Sequence, residues 1–413
     1  MAWRPDPPPG PYLVVGIARS GQSLLELLGD QARGVDRKQG DDTPVALEGM
    51  RSVIKSPGVP QDAPVIVAAR ERGLPVIGEV EFAWRLLPNE FVAVTGTNGK
   101  TTTVGLLGAI HREAGVAATV AGNVGTPLTS LVGELDPGAV VVLELSSFQL
   151  EDSVEFAPEG GVLLNVAPDH LDRHGTFDAY LAAKLQVFAR QGNDDVAVAP
   201  VGLGVEDLGG CARRVCFGPG GELDDRAGQL WWDEQPLIAH DEIRLRGAHN
   251  RANAAAAAAI ALARGIEPDA VRAALRSFAG VEHRLEEVAT VDGVLYVNDS
   301  KATNVDSTLV ALASFADMPV HLILGGGGKG QDFAPLREPA GRCAGVYLIG
   351  ADGPLIGRQI GTGVKCGDLA TAVERARAAA RPGDVVLLSP ASESYDQFDN
   401  YEHRGRVFKE LVG

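Results

Sequence analysis

Apolar residues along this chain fall in short, nearly unbroken runs, each followed by glycine and polar residues. Such runs occur at Tyr12–Val15, at Val53 and Ile54 before Ser56-Pro-Gly58, at Pro75–Ile77, Phe91–Val94, Ala139–Leu143 and Gly161–Val166. They recur at Val294–Val297, Val320–Leu324, Val346–Ile349 and Val385–Leu388. Runs without alternation predict strands covered on both faces, the signature of a parallel sheet. Helical segments are predicted between them, at Gln22–Leu28, Thr101–His111, Phe177–Arg190, Leu309–Ala316 and Leu369–Ala380. A long alanine-rich helix is expected to start at Gly247-Ala-His-Asn-Arg-Ala-Asn253. Strand and helix in alternation predict an α/β fold with right-handed crossovers. From Asp194 to His240 the pattern breaks into short β-like stretches and glycines, read as an extension of the central sheet.

A chain of 413 residues is too long for one core. It divides by pattern into segments 1–89, 90–279 and 280–413. The formal charge of −17 argues against nucleic acid or an anionic membrane as the main partner. An anionic substrate must then be held by local cations and metal. The four cysteines, Cys211, Cys216, Cys343 and Cys366, have no zinc or CxxC spacing and read as reduced structural thiols. The start carries no apolar signal region, and the run Ala254–Ala263 is too short to span a bilayer. A soluble, cytoplasmic protein is expected.

The chemistry centres on Thr95-Gly-Thr-Asn-Gly-Lys-Thr-Thr102, between a predicted strand and a predicted helix. Small residues let the backbone N–H groups of Gly96, Thr97, Asn98, Gly99 and Lys100 turn toward an anion, and the helix N-terminus adds partial positive charge. Lys100 would reach the β/γ-phosphates of ATP and the Thr101 hydroxyl would sit on Mg2+, with Thr102 beside it. Val94 stands where the Walker pattern has its first glycine, so the loop is a variant. Glu144 ends a β-branched run, where a carboxylate helps hold Mg2+ in phosphate-loop proteins. His170 and His174 stand at i and i+4, a spacing compatible with zinc, but no third ligand is evident; His170 at a strand end reads as a site residue. Lys184, a lone lysine in a helix, reads locally as solvated. Asn250 and Asn253 at a helix start are either caps or readers of an adenine edge.

In the first segment, Gly16-Ile-Ala-Arg-Ser-Gly21 has the spacing of a dinucleotide-binding turn with Ala18 in place of the middle glycine. Asp36 lies about where a ribose-binding acid would. A nucleotide-binding domain and a purely structural one fit equally well. In the last segment, three polar clusters follow strands: Asn298-Asp-Ser-Lys-Ala-Thr-Asn304, Gly325-Gly-Gly-Gly-Lys329 and Ser389-Pro-Ala-Ser-Glu-Ser-Tyr-Asp396. Open α/β sheets bind ligands at such ends, so these look like a pocket for a small anion.

Together, the phosphate loop, Asn165-Val-Ala-Pro-Asp-His-Leu-Asp172, His249-Asn-Arg-Ala-Asn-Ala254 and His283-Arg-Leu-Glu286 resemble the motifs of the Mur ligase family, in order along essentially the whole chain. The Asn298–Asn304 segment and Leu388-Ser-Pro-Ala-Ser-Glu-Ser-Tyr-Asp-Gln-Phe398 are similar to those of its D-glutamate-adding branch. The resemblance implies three domains: a Rossmann-like uridine-nucleotide domain, a central P-loop ATPase and a Rossmann-like C-terminal domain. It implies that ATP activates the L-alanyl carboxylate of UDP-N-acetylmuramoyl-L-alanine as an acyl phosphate, which the D-glutamate amine then captures. Lys100 would hold phosphates, Thr101 and Glu144 one Mg2+, and His170 with a carbamylated Lys184 a second. Asn250, Asn253, Arg284 and Asp299 would hold ATP. Ser20, Asp36, Arg37, Gly58, Asn123 and His170 would hold the UDP-sugar; Lys301, Thr303, Lys329, Ser394 and Tyr401 would hold D-glutamate. Glu393 stands where the family has a small residue and is expected to face outward, and Tyr401 replaces a phenylalanine. The resemblance implies a monomer. Two rival readings are a folylpolyglutamate-type or other Mur-type amide ligase, and a nucleotide switch without ligase chemistry.

Overall fold

Three sheets carry the chain in a computed structural model that describes residues 4–123, 126–203, 208–328 and 330–413. The first holds Tyr12–Val15 (β1), Ala32–Val35 (β2), Ser52–Lys55 (β3) and Val76–Gly78 (β4) in the order β2-β1-β3-β4, all parallel. The second has nine strands: Phe91–Thr95 (β5), Ala118–Gly122 (β6), Val140–Glu144 (β7), Gly160–Leu163 (β8), Val196–Pro200 (β9), Arg213–Phe217 (β10), Leu223–Arg226 (β11), Gln229–Trp232 (β12) and Gln235–Ala239 (β13). Their order is β13-β12-β11-β10-β9-β8-β5-β7-β6, and only the β11-β12-β13 meander is antiparallel. The irregular stretch after Asp194 therefore extends the central sheet as its pattern suggested.

The third sheet has six strands: Glu286–Val291 (β14), Val294–Asn298 (β15), Val320–Gly325 (β16), Gly345–Ile349 (β17), Val364–Gly367 (β18) and Val385–Leu388 (β19). Their order is β14-β15-β19-β16-β17-β18, antiparallel only at β14. The expected α/β class with mostly parallel sheets is thus observed. Among the described residues no helix is long and apolar enough to cross a membrane.

Chain contacts divide the fold into two compact units. One runs to Arg244 and includes His249–Phe278; the other is Leu245–Ala248 with Ala279–Gly413. The first two sheets share a unit because buried polar groups join them. Glu81, in the helix Glu79–Leu86, accepts hydrogen bonds from the backbone N–H groups of Val154, Glu155 and Phe156. Its neighbour Glu79 accepts from Thr129 N at 2.8 Å and Thr129 Oγ1 at 2.9 Å. Around these anchors Trp84, Phe91 and Phe156 pack edge to face.

Helix ends moved where caps decide them. The helix expected at Leu309–Ala316 is Val305–Ala313, because Asn304 Oδ1 accepts from Ser307 N at 2.9 Å and fixes the start earlier. The helix expected through Arg190 stops at Leu185. Helices Gly353–Ile360 and Tyr401–Val412 and strands β14 and β18 are additional to the predicted elements. The two strands are partly or largely exposed and lack the unbroken apolar run that marks the interior ones.

Candidate functional site

The phosphate loop leaves β5 in the middle of its sheet, with β7 and β6 on one side and β8 and β9 on the other. This is the switch point at which open α/β sheets bind ligands. Gly99 sits at φ +87, a conformation natural for glycine, and caps the helix Lys100–Glu113. Asn165, after β8, braces the loop: its Oδ1 accepts from Asn98 N at 2.9 Å and its Nδ2 donates to Asn98 O at 3.0 Å. Thr97 Oγ1 lies 3.0 Å from the Tyr180 hydroxyl. Lys100 Nζ folds back to donate to the Gly96 and Thr97 carbonyls, both at 2.9 Å.

Lys184 departs from its local reading. Its side chain is 1% exposed, it donates to the same Gly96 carbonyl at 2.8 Å, and its Nζ lies 4.4 Å from the Tyr180 ring centre. Burial, then the positive charge of Lys100, pushes its pKa down to about 7, against a smaller opposing pull from Asp169. Glu144, 2% exposed at the end of β7, accepts from Asn123 Nδ2 at 3.2 Å through one oxygen. Its Oε2 is buried with no hydrogen-bond partner among the described residues. A buried, half-satisfied carboxylate costs free energy unless a cation meets it, so the donor set fits Mg2+. Among the described residues, no three His, Cys, Asp or Glu side chains form a metal cluster, and any site must draw on groups such as the Thr101 hydroxyl.

His170 follows β8 in a left-handed conformation, φ 51, with its Nε2 3.5 Å from Asp169 Oδ2. Its ring centre lies 4.8 Å from that of Phe148, tilted by 51°, and 6.4 Å from that of Tyr180. His174 turns instead to Ser147 Oγ, at 3.0 Å, so the pair does not converge as zinc ligands. Asn253 Nδ2 donates to Asn250 Oδ1 at 3.3 Å, both side chains are buried, and Asn253 lies directly against Gly99. Asn253 thus meets the phosphate loop from inside the helix Ala248–Ala263, with Asn250 bonded to it.

In the first sheet, Ser20, Asp36 and Gly58 follow the C-terminal ends of β1, β2 and β3. Asp36 accepts from Ile17 N at 3.0 Å and Lys38 N at 2.9 Å, and these bonds hold its carboxyl below the usual range. Arg37 and Gly58 are exposed. Ala18 leaves the turn intact and precedes the helix Arg19–Leu28.

The other unit gathers Arg284, Asp299, Lys301, Thr303, Ser394 and Tyr401. Burial pushes Asp299 up to about 7, although it accepts from Ser389 Oγ at 2.8 Å and Leu285 N at 3.2 Å. Lys301 Nζ lies 5.9 Å from the Tyr401 ring centre. Thr303 O accepts weakly from Gln331 at 3.5 Å, and Ser394 is buried. Glu393 is half-buried. Lys329 lies outside the described residues. Sequence reasoning missed Arg404, 0% exposed, whose guanidinium reaches Ser300 Oγ and O, Ser392 O and Glu393 O. It ties together two of the loops that follow strands. It also overlooked Tyr180 as a polar group, although its place four residues before Lys184 puts both on one helix face.

Comparison with known proteins gives these placements a context. A Mur ligase middle domain matches residues 94–204, and a Mur ligase glutamate ligase domain matches residues 283–392. The UDP-N-acetylmuramoylalanine–D-glutamate ligase of Acidobacterium capsulatum is 44% identical over 87% of this chain and 82% of its own. Its counterpart from Anaeromyxobacter dehalogenans is 44% identical over 97% of this chain and 96% of its own. Among solved structures, the UDP-N-acetylmuramate-alanine ligase of Thermotoga maritima is similar with a TM-score of 0.62 at 20% identity, covering 97% of this chain and 98% of that one. The MurF ligase of the same organism, in complex with ADP, gives 0.61 at 18% identity, over 98% and 96%. The structural likenesses bear on the fold; the sequence identity, sustained along nearly the whole chain, carries the assignment. The protein belongs to the Mur ligase family.

Proposed function

We propose that this chain is an ATP-dependent amide-bond ligase that joins D-glutamate to the L-alanyl carboxylate of UDP-N-acetylmuramoyl-L-alanine, a step in peptidoglycan precursor synthesis. The observation that carries this reading is a glycine loop after β5 whose Gly96 carbonyl meets the buried Lys184, next to strand β7, which ends on a buried Glu144 oxygen without a partner among the described residues. The relatives' names and their identity along the chain support the choice of substrates.

Two anions must meet in this reaction. A carboxylate oxygen bonds to the γ-phosphorus of ATP and ADP departs; the neutral amine of D-glutamate then bonds to the acyl carbon, and phosphate departs as the nitrogen loses a proton. Catalysis of this kind rests on positioning and charge neutralisation. The N–H groups of Gly96, Gly99 and Lys100 and the Lys100 side chain would hold the phosphates, those of Thr97 and Asn98 being turned to Asn165, while Thr101 and Glu144 would hold one Mg2+. His170 and Lys184, as its carbamate, hold a second. Mg2+, when bound, offsets phosphate charge. Asn250, Asn253, Arg284 and Asp299 bind the rest of ATP. Ser20, Asp36, Arg37, Gly58 and Asn123 bind the uridine nucleotide and sugar. Lys301, Thr303, Lys329, Ser394 and Tyr401 bind D-glutamate.

The test is phosphate release from ATP with UDP-N-acetylmuramoyl-L-alanine, adding D-glutamate, L-glutamate or diaminopimelate in turn. Release with D-glutamate alone is expected. Equal release with L-glutamate or diaminopimelate would point to a sibling ligase, and release indifferent to any amino acid would remove the ligase reading.

A further inference from the structure

A knot of charged side chains joins the turn after β3 to the segment that carries His170. Lys55, the last residue of β3, is 0% exposed. Its Nζ lies 2.7 Å from Asp152 Oδ2 and 4.0 Å from Glu151 Oε1, and donates to the Val59 carbonyl at 2.7 Å. Gln61 Nε2 donates to Asp152 Oδ1 at 2.7 Å. From the other side comes Arg173, in the helical turn Leu171–His174 that follows His170 directly. Its guanidinium donates to Glu151 and, at 2.9 Å, to the same Val59 carbonyl, and it lies over the Phe148 ring at 5.2 Å. His174 Nδ1 stands 3.8 Å from Glu151 Oε2. One carbonyl of the Ser56–Val59 turn thus receives one donor from β3 and one from the helical turn after His170.

Resting on the function proposed above, we infer that Arg173, with Lys55 and the Glu151–Asp152 pair, is a positioning device that fixes the span between the two ends of the UDP-linked substrate. The Ser56–Val59 turn is at the nucleotide end and His170 at the reacting carboxyl. Stability alone is a poor reason for such a cluster. Burying charges costs as much as their pairing returns, and apolar residues would pack the junction at least as well. What hydrogen-bonded ion pairs add is direction. Arg173, which reaches both Glu151 and Val59 through Nη2 and lies over the Phe148 ring, holds the turn directly after His170, whose left-handed backbone a non-glycine residue keeps only when its surroundings hold it. None of the hydrogen bonds of Arg173 described here goes to the phosphate loop, so ATP binding is separable from its role.

The experiment uses the full chain and the variants Arg173→Met and Arg173→Lys. Calorimetry gives Kd for UDP-N-acetylmuramoyl-L-alanine and for ADP, and steady-state kinetics give kcat and both KM values. Misplacement on the ångström scale costs roughly tenfold to a hundredfold. Arg173→Met should weaken UDP-substrate binding and kcat together within that range while the Kd for ADP stays within about twofold. Arg173→Lys, charged but without the planar group over Phe148, should recover only part. An Arg173→Met enzyme with unchanged UDP-substrate Kd and kcat overturns the inference, as does equal weakening toward ADP. Should Arg173→Met not fold, Arg173→Lys decides alone: wild-type values overturn the inference, and a selective loss supports it. If the unaltered chain fails to bind UDP-N-acetylmuramoyl-L-alanine, the functional reading itself falls.

Discussion

Lys184 offers the sharpest prediction about chemistry. An ordinary lysine titrates near 10.4, so at pH 7 only on the order of one in two to three thousand is neutral. Burial and the nearby Lys100 charge bring Lys184 to about 7, so about half is neutral at pH 7, about nine-tenths at pH 8 and about one-tenth at pH 6. Only the neutral amine has a lone pair to bond to CO2, forming a carbamate and releasing a proton. The local environment therefore raises the reactive fraction about a thousandfold at neutral pH. The sign for stability follows the same shift. Between about pH 7 and the unfolded value the unfolded chain holds the extra proton, so this lysine makes stability rise with pH across that window. The assay is 13C NMR of the protein in 13C-bicarbonate from pH 6 to 10. One carbamate signal should appear with a midpoint near 7, vanish in Lys184→Ala, and move to higher pH in Lys100→Met, where the repulsion that helps lower the Lys184 pKa is gone and less carbamate forms at pH 7. Lys184→Ala should also lose ligation, and bicarbonate should not restore it, since no amine remains. Near-normal turnover by Lys184→Ala, or a labelled signal that survives the substitution, would refute the reasoning.

Three further outcomes are expected. Glu144→Gln keeps the Asn123 contact but removes the charge, so the Mg2+ concentration for half-maximal nucleotide binding should rise about tenfold or more, equivalent to about 1.4 kcal/mol; an unchanged Mg2+ titration would contradict the role of Glu144. In Gly99→Ala the new Cβ would stand 2.1 Å from Asn253 Oδ1 at a backbone φ of +87. With left-handed strain of about 1–2 kcal/mol added, ATP affinity should fall at least about tenfold by equilibrium dialysis, and native affinity would count against the cradle. Arg404→Met strands several buried carbonyls, so a loss of about 1–3 kcal/mol for each one left unsatisfied is expected in denaturant unfolding, together with a raised KM for D-glutamate; an unaltered unfolding midpoint would show that the guanidinium does not organise those loops.

The sheets were legible because interior parallel strands are apolar on both faces, and β5, β7, β16 and β19 stand out as unbroken runs. The phosphate loop was legible because its function constrains adjacent residues to be small. What stayed hidden are pairings across long stretches of chain. Asn165 braces Asn98, Lys55 meets Asp152 and Arg404 reaches Ser300, and in each pair the two residues carry no local mark of one another. Lys184 reads as solvated because burial of a helical residue depends on what the rest of the fold packs against it. Asn250 and Asn253 looked like possible caps, but the helix begins before them at Ala248 and Asn253 packs against Gly99, a contact that local sequence does not mark.

The central claim is that ATP energises the substrate carboxyl so that an amine can capture it. With 18O in the L-alanyl carboxylate of UDP-N-acetylmuramoyl-L-alanine, mass spectrometry of the released phosphate tests it directly. One carboxylate oxygen should appear in each phosphate formed during D-glutamate addition, since the acyl C–O bond breaks when the amine attacks. Phosphate free of the label, with amide product formed, would contradict the account.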